Sequence, residues 1–271
     1  MDAPGEATAR NSRRLRSLRD AITWSYDLLP PEEQRFFRCF AVFADGFTLE
    51  AAEAIGGTDP TATLDLIRAL VEKSLVVQAE QPKGVPRYGM LETIREFALE
   101  RLAASVDAAQ VRADHATFYL GLAEDAAPHL IAAGSSLWVE RLSLERPNLR
   151  AAIAWELANG QAEAVLRLAG TILSFAYARG EPHEGQEWLE AALAADTTAP
   201  PRVCIDALFT TSALAQVQGD FARSVLLSDQ GLAFAQAQGY AFGQARAHIA
   251  LGITAEWQGS LERAAHHYET A

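Results

Sequence analysis

A repeated turn in the second half of the chain constrains the fold more than any other feature. A glycine followed by a polar residue recurs at Gly180-Glu181, Gly219-Asp220 and Gly259-Ser260, with spacings of 39 and 40 residues. Internal periods of about 20–50 residues are typical of solenoids, in which each repeat packs on its neighbours. The spacing therefore predicts an array of helix pairs over residues 109–271.

Small residues recur at fixed distances from these turns. They stand five residues after, twelve residues after or seven residues before a turn glycine: Gly185, Ala192, Ser212, Ser224, Gly231, Gly252 and Ala264. The first repeat has Leu173 where the other two have Ser212 and Gly252. Small side chains let paired helices approach closely, as in tetratricopeptide repeats, whose period is about 34 residues. The longer period here predicts longer helices or turns.

The first half has a different pattern. Apolar residues at three- and four-residue spacing predict a helix that ends at Pro30 and Pro31, then a helix rich in Phe and two further helices up to Ser74. The runs "SLVVQ" and "RYGML" predict two strands joined by a polar loop, followed by a closing helix. Three short helices followed by a hairpin are typical of a winged helix. We therefore expect a mainly α protein, with a winged helix over residues 31–108 and tetratricopeptide-like helix pairs after it.

The charge pattern argues against DNA binding. The chain has a formal net charge of -12, and residues 113–271 carry 9 basic and 18 acidic side chains. A DNA-binding winged helix uses Lys and Arg to contact phosphates, often from its third helix. Here the outward residues of that helix sum to zero charge, and the wing adds only two cations; the six residues are Asp65, Arg68, Glu72, Lys73, Lys83 and Arg87. We expect this domain to pack against another domain and not to bind DNA directly.

Several motifs are missing from the sequence. It contains no G-x-x-x-x-G-K-[ST] phosphate loop, no G-x-S-x-G, no C-x-x-C and no H-E-x-x-H. His266 and His267 are adjacent on a predicted helix, point about 100° apart and cannot share one metal ion on that helix. No signal peptide and no apolar run of about 20 residues is present. We expect a cytoplasmic protein that is not an enzyme, with no metal site and no contact with a membrane.

Four long runs carry a family resemblance. In order they are "LRDAITWSYDLLPPEEQRFFRCFAVFADGFTLEAAEAIGG", "LVEKSLV", "RYGMLETIREFALERLAAS" and "LERPNLRAAIAWELANG". They resemble the region after the ATPase module in bacterial STAND-type signalling ATPases, including the large LuxR-type regulators of actinobacteria. That family is distantly similar to the maltose-regulon activator and to NB-ARC proteins. The resemblance implies an ATPase module before the winged helix, repeats after it and an effector domain at one end.

The resemblance also assigns the first residues and the cofactor. Residues 1–30 would be the helical tail of the ATPase module, which this sequence lacks. ATP or ADP would bind that module, in cis or in trans, so we expect no cofactor in this chain. Because the sequence stops inside a repeat, we expect a fragment, a split gene product or a degenerate relative of the family.

The join between the second strand and the closing helix is a candidate sensor turn. NB-ARC proteins carry a Met-His-Asp turn there, whose His reaches bound ADP; Met90, Leu91 and Glu92 occupy the matching positions. Leu91 has no donor for a phosphate. Two interpretations stay open: Met90 and Leu91 are core residues and Glu92 is an acid favoured at a helix start, or the turn packs on the nucleotide domain and reports its state.

Two functions follow. The first is a non-catalytic region of a STAND-type transcriptional regulator, which couples a nucleotide switch to a protein or small-molecule signal bound by the repeats. The second is a free-standing helical scaffold that binds a protein partner without any dependence on nucleotide.

Overall fold

A computed structural model describes residues 17–57, 59–79, 86–130, 136–168, 170–172, 175, 182–195 and 199–271. The chain divides into two compact units, Met1–Phe118 and Tyr119–Ala271. The predicted domain boundary lies about ten residues earlier in the chain. Gly180, Glu181, Leu173 and Lys83, which the sequence patterns used, lie outside the described residues.

The first unit has the element order of a winged helix. Its elements are α1 (17–27), α2 (Pro31–Phe40), β1 (Phe47–Thr48), α3 (Leu49–Gly56), α4 (Pro60–Glu72), β2 (Val77–Ala79), β3 (Arg87–Gly89) and α5 (Glu92–Ala103). The helix starts follow from local chemistry. The hydroxyl of Thr48 accepts the amide of Ala51 at 3.3 Å, and the Asp59 carboxylate accepts the amides of Thr61 and Ala62.

The sheet contains one strand more than the predicted hairpin. Its order is β1-β3-β2 and both pairings are antiparallel, with Phe47 opposite Tyr88 and Val77 opposite Gly89. The prediction of two strands was therefore incomplete. A strand of only two residues has no alternation for a sequence pattern to detect, so its position depends on the pairing with β3.

An aromatic cluster forms the core of this unit. Phe36, Phe37, Phe40 and Phe43 of the predicted Phe-rich segment are all at most 2% exposed. Phe47 joins them from β1, and its ring centroid lies 4.5 Å from that of Phe43. Burying a Phe side chain contributes roughly 1.5–3 kcal/mol. The cluster therefore holds the short sheet against the helices.

The second unit is helical. Its first helix, α6, begins in the first unit and crosses the boundary at Phe118. The helices are α6 (Ala108–Leu130), α7 (Ser136–Ala158), α8 (Ala162–Arg167), α9 (170–172), α10 (Pro182–Ala194), α11 (Pro201–Val217), α12 (Phe221–Ala237), α13 (Ala241–Trp257) and α14 (Leu261–Thr270). Together with the first unit, they confirm the prediction of a mainly α protein with a winged helix and helical repeats.

One predicted helix break is wrong. In the run "SLWVERLSLERPNLRAAIAWELANG" the sequence predicts two helices split at Pro147, but Pro147 lies inside the 23-residue helix α7. Proline removes one backbone hydrogen bond and usually bends a helix. Leu142 before it and Leu149 and Ile153 after it are all buried, and this continuous packing stabilises a single helix across the proline.

Long helices explain the long period. Helices α11, α12 and α13 have 17 residues each, and three-residue turns containing Gly219, Gly239 or Gly259 join them to the next helix. Two helices with their two turns thus account for the 40-residue spacing. The predicted choice between longer helices and longer turns resolves in favour of longer helices.

Candidate functional site

The join between β3 and α5 places Leu91 on the surface. Met90 is half-buried, Leu91 is 58% exposed and the Glu92 side chain is 72% exposed. Leu91 is the N-cap of α5, with extended backbone, and its side chain makes no cap hydrogen bond. The interpretation of Leu91 as a core residue is therefore wrong. An N-cap side chain leaves the helical face, so the buried stripe of α5 begins only at Ile94.

Contacts with other parts of the winged helix fix the backbone next to the join. The Arg95 Nε donates to the carbonyl oxygen of Phe43 at 2.7 Å, and its Nη1 lies 3.6 Å from the Glu92 carboxylate. Gly46 approaches β3 so closely that a Cβ there would lie 2.7 Å from the Tyr88 carbonyl oxygen. A fixed turn therefore presents an apolar and an acidic side chain. Its role as a sensor stays a prediction.

The surface of α4 has its charges paired. Arg68 lies 3.4 Å from Asp65 on the same helix, and the Lys73 ammonium lies 2.9 Å from Glu33 of α2. Exposed ion pairs contribute little to stability, but they leave no excess of positive charge on this helix. The neutrality expected from the sequence is thus present in the side-chain geometry.

Arg87 is not a wing cation. The sequence placed it with Lys83 on the surface of the hairpin, but Arg87 is only 6% exposed and donates to the Gly46 carbonyl at 3.2 Å. The short strand β1 pairs with Arg87 of β3 and covers it. The sequence prediction failed here because β1 was not detected.

The other basic side chains of this domain are also used internally. Together with Arg68, Lys73 and Arg87, all eight Lys and Arg side chains described between residues 17 and 103 contact a partner there. The remaining contacts are Arg19 with Glu100, Arg35 with the Gly56 carbonyl, Arg38 with the Tyr26 hydroxyl, Arg95 with Phe43 and Arg101 with the Phe97 ring. The hydrogen bond from Arg19 lowers the pKa of Glu100.

The seven small residues of the repeat pattern are all buried. Several stand where a larger side chain would collide. A Cβ on Gly185 would lie 2.5 Å from Ile172, one on Gly231 would lie 2.8 Å from the Phe209 ring, and one on Gly252 would lie 2.4 Å from the Tyr268 ring. Ala192 and Ala264 lie at buried positions of α10 and α14.

Ser212 and Ser224 belong to a buried network of hydroxyl groups. The sequence pattern had identified the two residues only by their small size. The Ser212 Oγ lies 2.9 Å from the Ser224 Oγ and 2.8 Å from the Ser228 Oγ, and the Ser224 Oγ lies 2.9 Å from the Thr254 Oγ1. Gln216 donates to Thr254 at 2.8 Å. The network joins α11, α12 and α13, and the recurrence of Ser, Thr and Gln on facing helices was its only signal in the sequence.

A small apolar pocket lies near the start of the second unit. Its cavity volume is about 40 Å³, and its lining includes Leu149, Ile153 and Trp188. At its edge, Glu184 in the first turn of α10 accepts hydrogen bonds from Arg146 at 2.7 Å and from Arg150 at 2.5 Å. Trp188 is half-buried at this pocket.

Two further features bear on chemistry. Within the described residues, no cluster of three or more His, Cys, Asp or Glu side chains is placed to hold a metal ion. Cys39 and Cys204 are free thiols, and burial raises the pKa of both.

In the part of the chain that the structure describes, no helix is both long enough and apolar enough to cross a bilayer.

Comparison with known proteins supports the winged-helix fold of the first unit. Residues 29–103 match the family described as "Winged helix-turn-helix domain". "Putative HTH-type transcriptional regulator Rv0890c" of Mycobacterium tuberculosis H37Rv is 33% identical over 270 residues, which cover 96% of this chain and 30% of that protein. "Uncharacterized protein Rv0894" of the same organism is 38% identical over 96 residues, which cover 34% of this chain and 24% of that protein. The chain thus spans about 30% of the length of the first of these relatives.

One solved structure is also similar. It is a Signal Transduction ATPase with Numerous Domains (STAND) protein with a tetratricopeptide repeat sensor, from Pyrococcus horikoshii. The two proteins share 15% sequence identity, and the TM-score is 0.33. The matched region covers 90% of this chain and 50% of the Pyrococcus horikoshii chain. A TM-score this low supports no conclusion about shared structure or function.

Proposed function

We propose that this chain is the non-catalytic regulatory region of a STAND-type transcriptional regulator. In this proposal the winged helix packs against a nucleotide-binding ATPase module and responds to its state, while the helical repeats bind a protein partner or a signal molecule. The family resemblance of the four long runs and the similarity to a protein named as an HTH-type transcriptional regulator support the proposal.

The observation that carries the proposal is the internal use of the basic side chains in the winged helix. A DNA reader presents Lys and Arg to phosphates before base contacts can discriminate. Here all eight described cations contact groups of their own domain. The winged helix is therefore better suited to packing against protein than to binding a duplex.

The exposed join favours this function over a free-standing scaffold. A scaffold without a nucleotide switch gives no reason to hold Leu91, at 58% exposure, on a turn fixed by Arg95 and Gly46. An apolar side chain on a fixed turn is suited to contact with a second domain. We therefore assign the contact with the ATPase module to Leu91 and its neighbours Met90 and Glu92.

We expect the chain not to bind duplex DNA. At low salt, a labelled duplex of arbitrary sequence should show no change in fluorescence anisotropy up to about 10⁻⁵ M protein, whereas non-specific DNA binders have dissociation constants of about 10⁻⁴–10⁻⁶ M even at physiological salt. The double variant Asp65→Lys with Glu72→Lys should gain salt-sensitive binding, because it gives α4 an unpaired positive surface. Binding by the unaltered chain that falls steeply with salt would contradict the proposal.

Replacing Leu91 by aspartate is expected to have different effects on the stability of the winged helix and on ADP affinity. Leu91→Asp adds a side-chain cap and an acid at the start of α5, so the free energy of unfolding of the winged helix should rise by about 0.5–1 kcal/mol. In the longer protein that contains the ATPase module, the same change should alter the affinity for ADP, because it puts a charge into the contact. Chemical denaturation and nucleotide titration measure the two effects.

The control variant is Val106→Asp, which removes another apolar side chain, 98% exposed and outside the join. It should leave ADP affinity unchanged. If Leu91→Asp also leaves ADP affinity unchanged, the join does not contact the nucleotide-binding module. If Leu91→Asp destabilises the winged helix, the assignment of Leu91 as an exposed N-cap is wrong.

A further inference from the structure

Two histidine rings face each other across the α13–α14 hairpin. The Nδ1 atoms of His248 on α13 and His267 on α14 are 3.3 Å apart, and their ring planes meet at 34°. Both side chains are half-buried, while His266 beside them is exposed. A single shared proton on one of the two nitrogens is enough to explain this contact in the metal-free chain.

The separation of the two nitrogens also suits a metal ion. Imidazole nitrogens bind Zn²⁺ at about 2.0–2.1 Å in tetrahedral geometry, which places two such ligands about 3.3–3.4 Å apart. The two helices therefore already hold the nitrogens at the spacing of two zinc ligands. We propose that His248 and His267 bind one Zn²⁺-type divalent cation through their Nδ1 atoms, with water at the remaining positions, and that the ion joins α13 to α14.

The surroundings of the pair are mixed. Burial lowers the pKa of His267, and His248, His266 and Arg263 lower it further, whereas Asp229 raises it. The Asp229 carboxylate favours a cation near the pair and the Arg263 guanidinium opposes it. No third ligand is assigned, so we expect affinity in the micromolar range and not that of a structural zinc site.

The sequence could not reveal this pair. His266 and His267 are adjacent and point apart on one helix, which argued against a metal site. The second ligand comes from His248, 19 residues earlier, and the turn at Gly259 brings α13 and α14 together. This inference concerns the helical repeats alone and does not depend on the function proposed above.

Titration with ZnCl₂ tests the site. The full chain, freed of metal with chelator and kept at pH 7.5, should bind one Zn²⁺ per chain in isothermal titration. His248→Ala and His267→Ala should each weaken binding by about tenfold or more, as expected for the loss of a ligand. His266→Ala, a change of the same kind at the neighbouring exposed residue, is the matched control and should leave the affinity unchanged.

A second measurement on the unaltered chain does not depend on the variants folding. Zn²⁺ should slow amide hydrogen exchange in α13 and α14 more than in the other helices, because the ion connects them. Absence of binding in the micromolar range, equal weakening by all three variants, or Zn²⁺ protection located away from α13 and α14 would each overturn the proposal.

Discussion

Replacing Gly46 by alanine is expected to lower the free energy of unfolding of the winged helix by about 3 kcal/mol. Gly46 has a φ of +92°, where a side chain costs about 1–2 kcal/mol. The new Cβ would lie 2.7 Å from the Tyr88 carbonyl oxygen, and a backbone atom cannot move aside as a side chain can. Overpacking of this kind costs about 1–3 kcal/mol more. Hydrogen exchange in denaturant, read over residues 31–103, measures the loss without assuming that the two units unfold together.

Gly57→Ala is the matched control for this change. Gly57 also has a positive φ, +68°, but a Cβ there meets no atom within 4 Å. It should cost only the backbone term, about 1 kcal/mol. The difference between the two variants therefore isolates the close approach of the turn to β3. Equal costs would show that β3 is not pressed against Gly46, and the fixed geometry of the Met90-Leu91-Glu92 join would lose its support.

The parts of the fold that sequence predicted were those fixed by local pattern. The spacing of Phe36, Phe37 and Phe40 identified a core helix, because the period of apolar residues shows which face is buried. Gly219 and Gly259 located the repeat because a long helix needs a turn to reverse. Neither inference required knowledge of what the buried face would touch.

The features that sequence missed depend on partners distant in the chain. β1 exists because it pairs with β3, and that pairing buries Arg87, which the sequence alone placed on the wing. Leu91 has the apolar character of a core residue, but the start of α5 one residue later turns its side chain outward. Periodicity identifies the inward face of an element; it does not identify its neighbours or where the element begins to within one residue.

Ser212 shows the same limit within a correct prediction. Sequence assigned it as a small residue between packed helices, and it is fully buried. Its hydroxyl nevertheless lies within hydrogen-bond distance of Ser224 and Ser228, which the offset pattern did not anticipate. A buried position can require only a small side chain, or it can also require a hydroxyl that bonds to a neighbour. Which of the two applies depends on the side chains of the facing helix.

Ser212→Val is expected to destabilise the helical unit by about 3–4 kcal/mol. The change removes the hydroxyl that contacts the Ser228 Oγ at 2.8 Å, and leaving a buried polar group without a partner costs about 1–3 kcal/mol. Valine is also larger than serine at a position with no exposed surface, and overpacking costs about 1–3 kcal/mol. Amide hydrogen exchange in denaturant over α11, α12 and α13 measures the loss.

Thr211→Val is the control, because it removes a fully buried hydroxyl from the preceding residue with almost no change in shape. The Thr211 Oγ1 donates only within its own helix, to the Ala207 carbonyl at 2.8 Å. That carbonyl also accepts a backbone hydrogen bond of α11, so the loss should be about 1 kcal/mol or less. If the two variants lose equal stability, the hydroxyl contacts between helices stabilise the unit no more than a hydroxyl that is bonded within its own helix. A much larger loss for Ser212→Val is the combined cost of the added volume and of the lost hydroxyl contacts between α11 and α12.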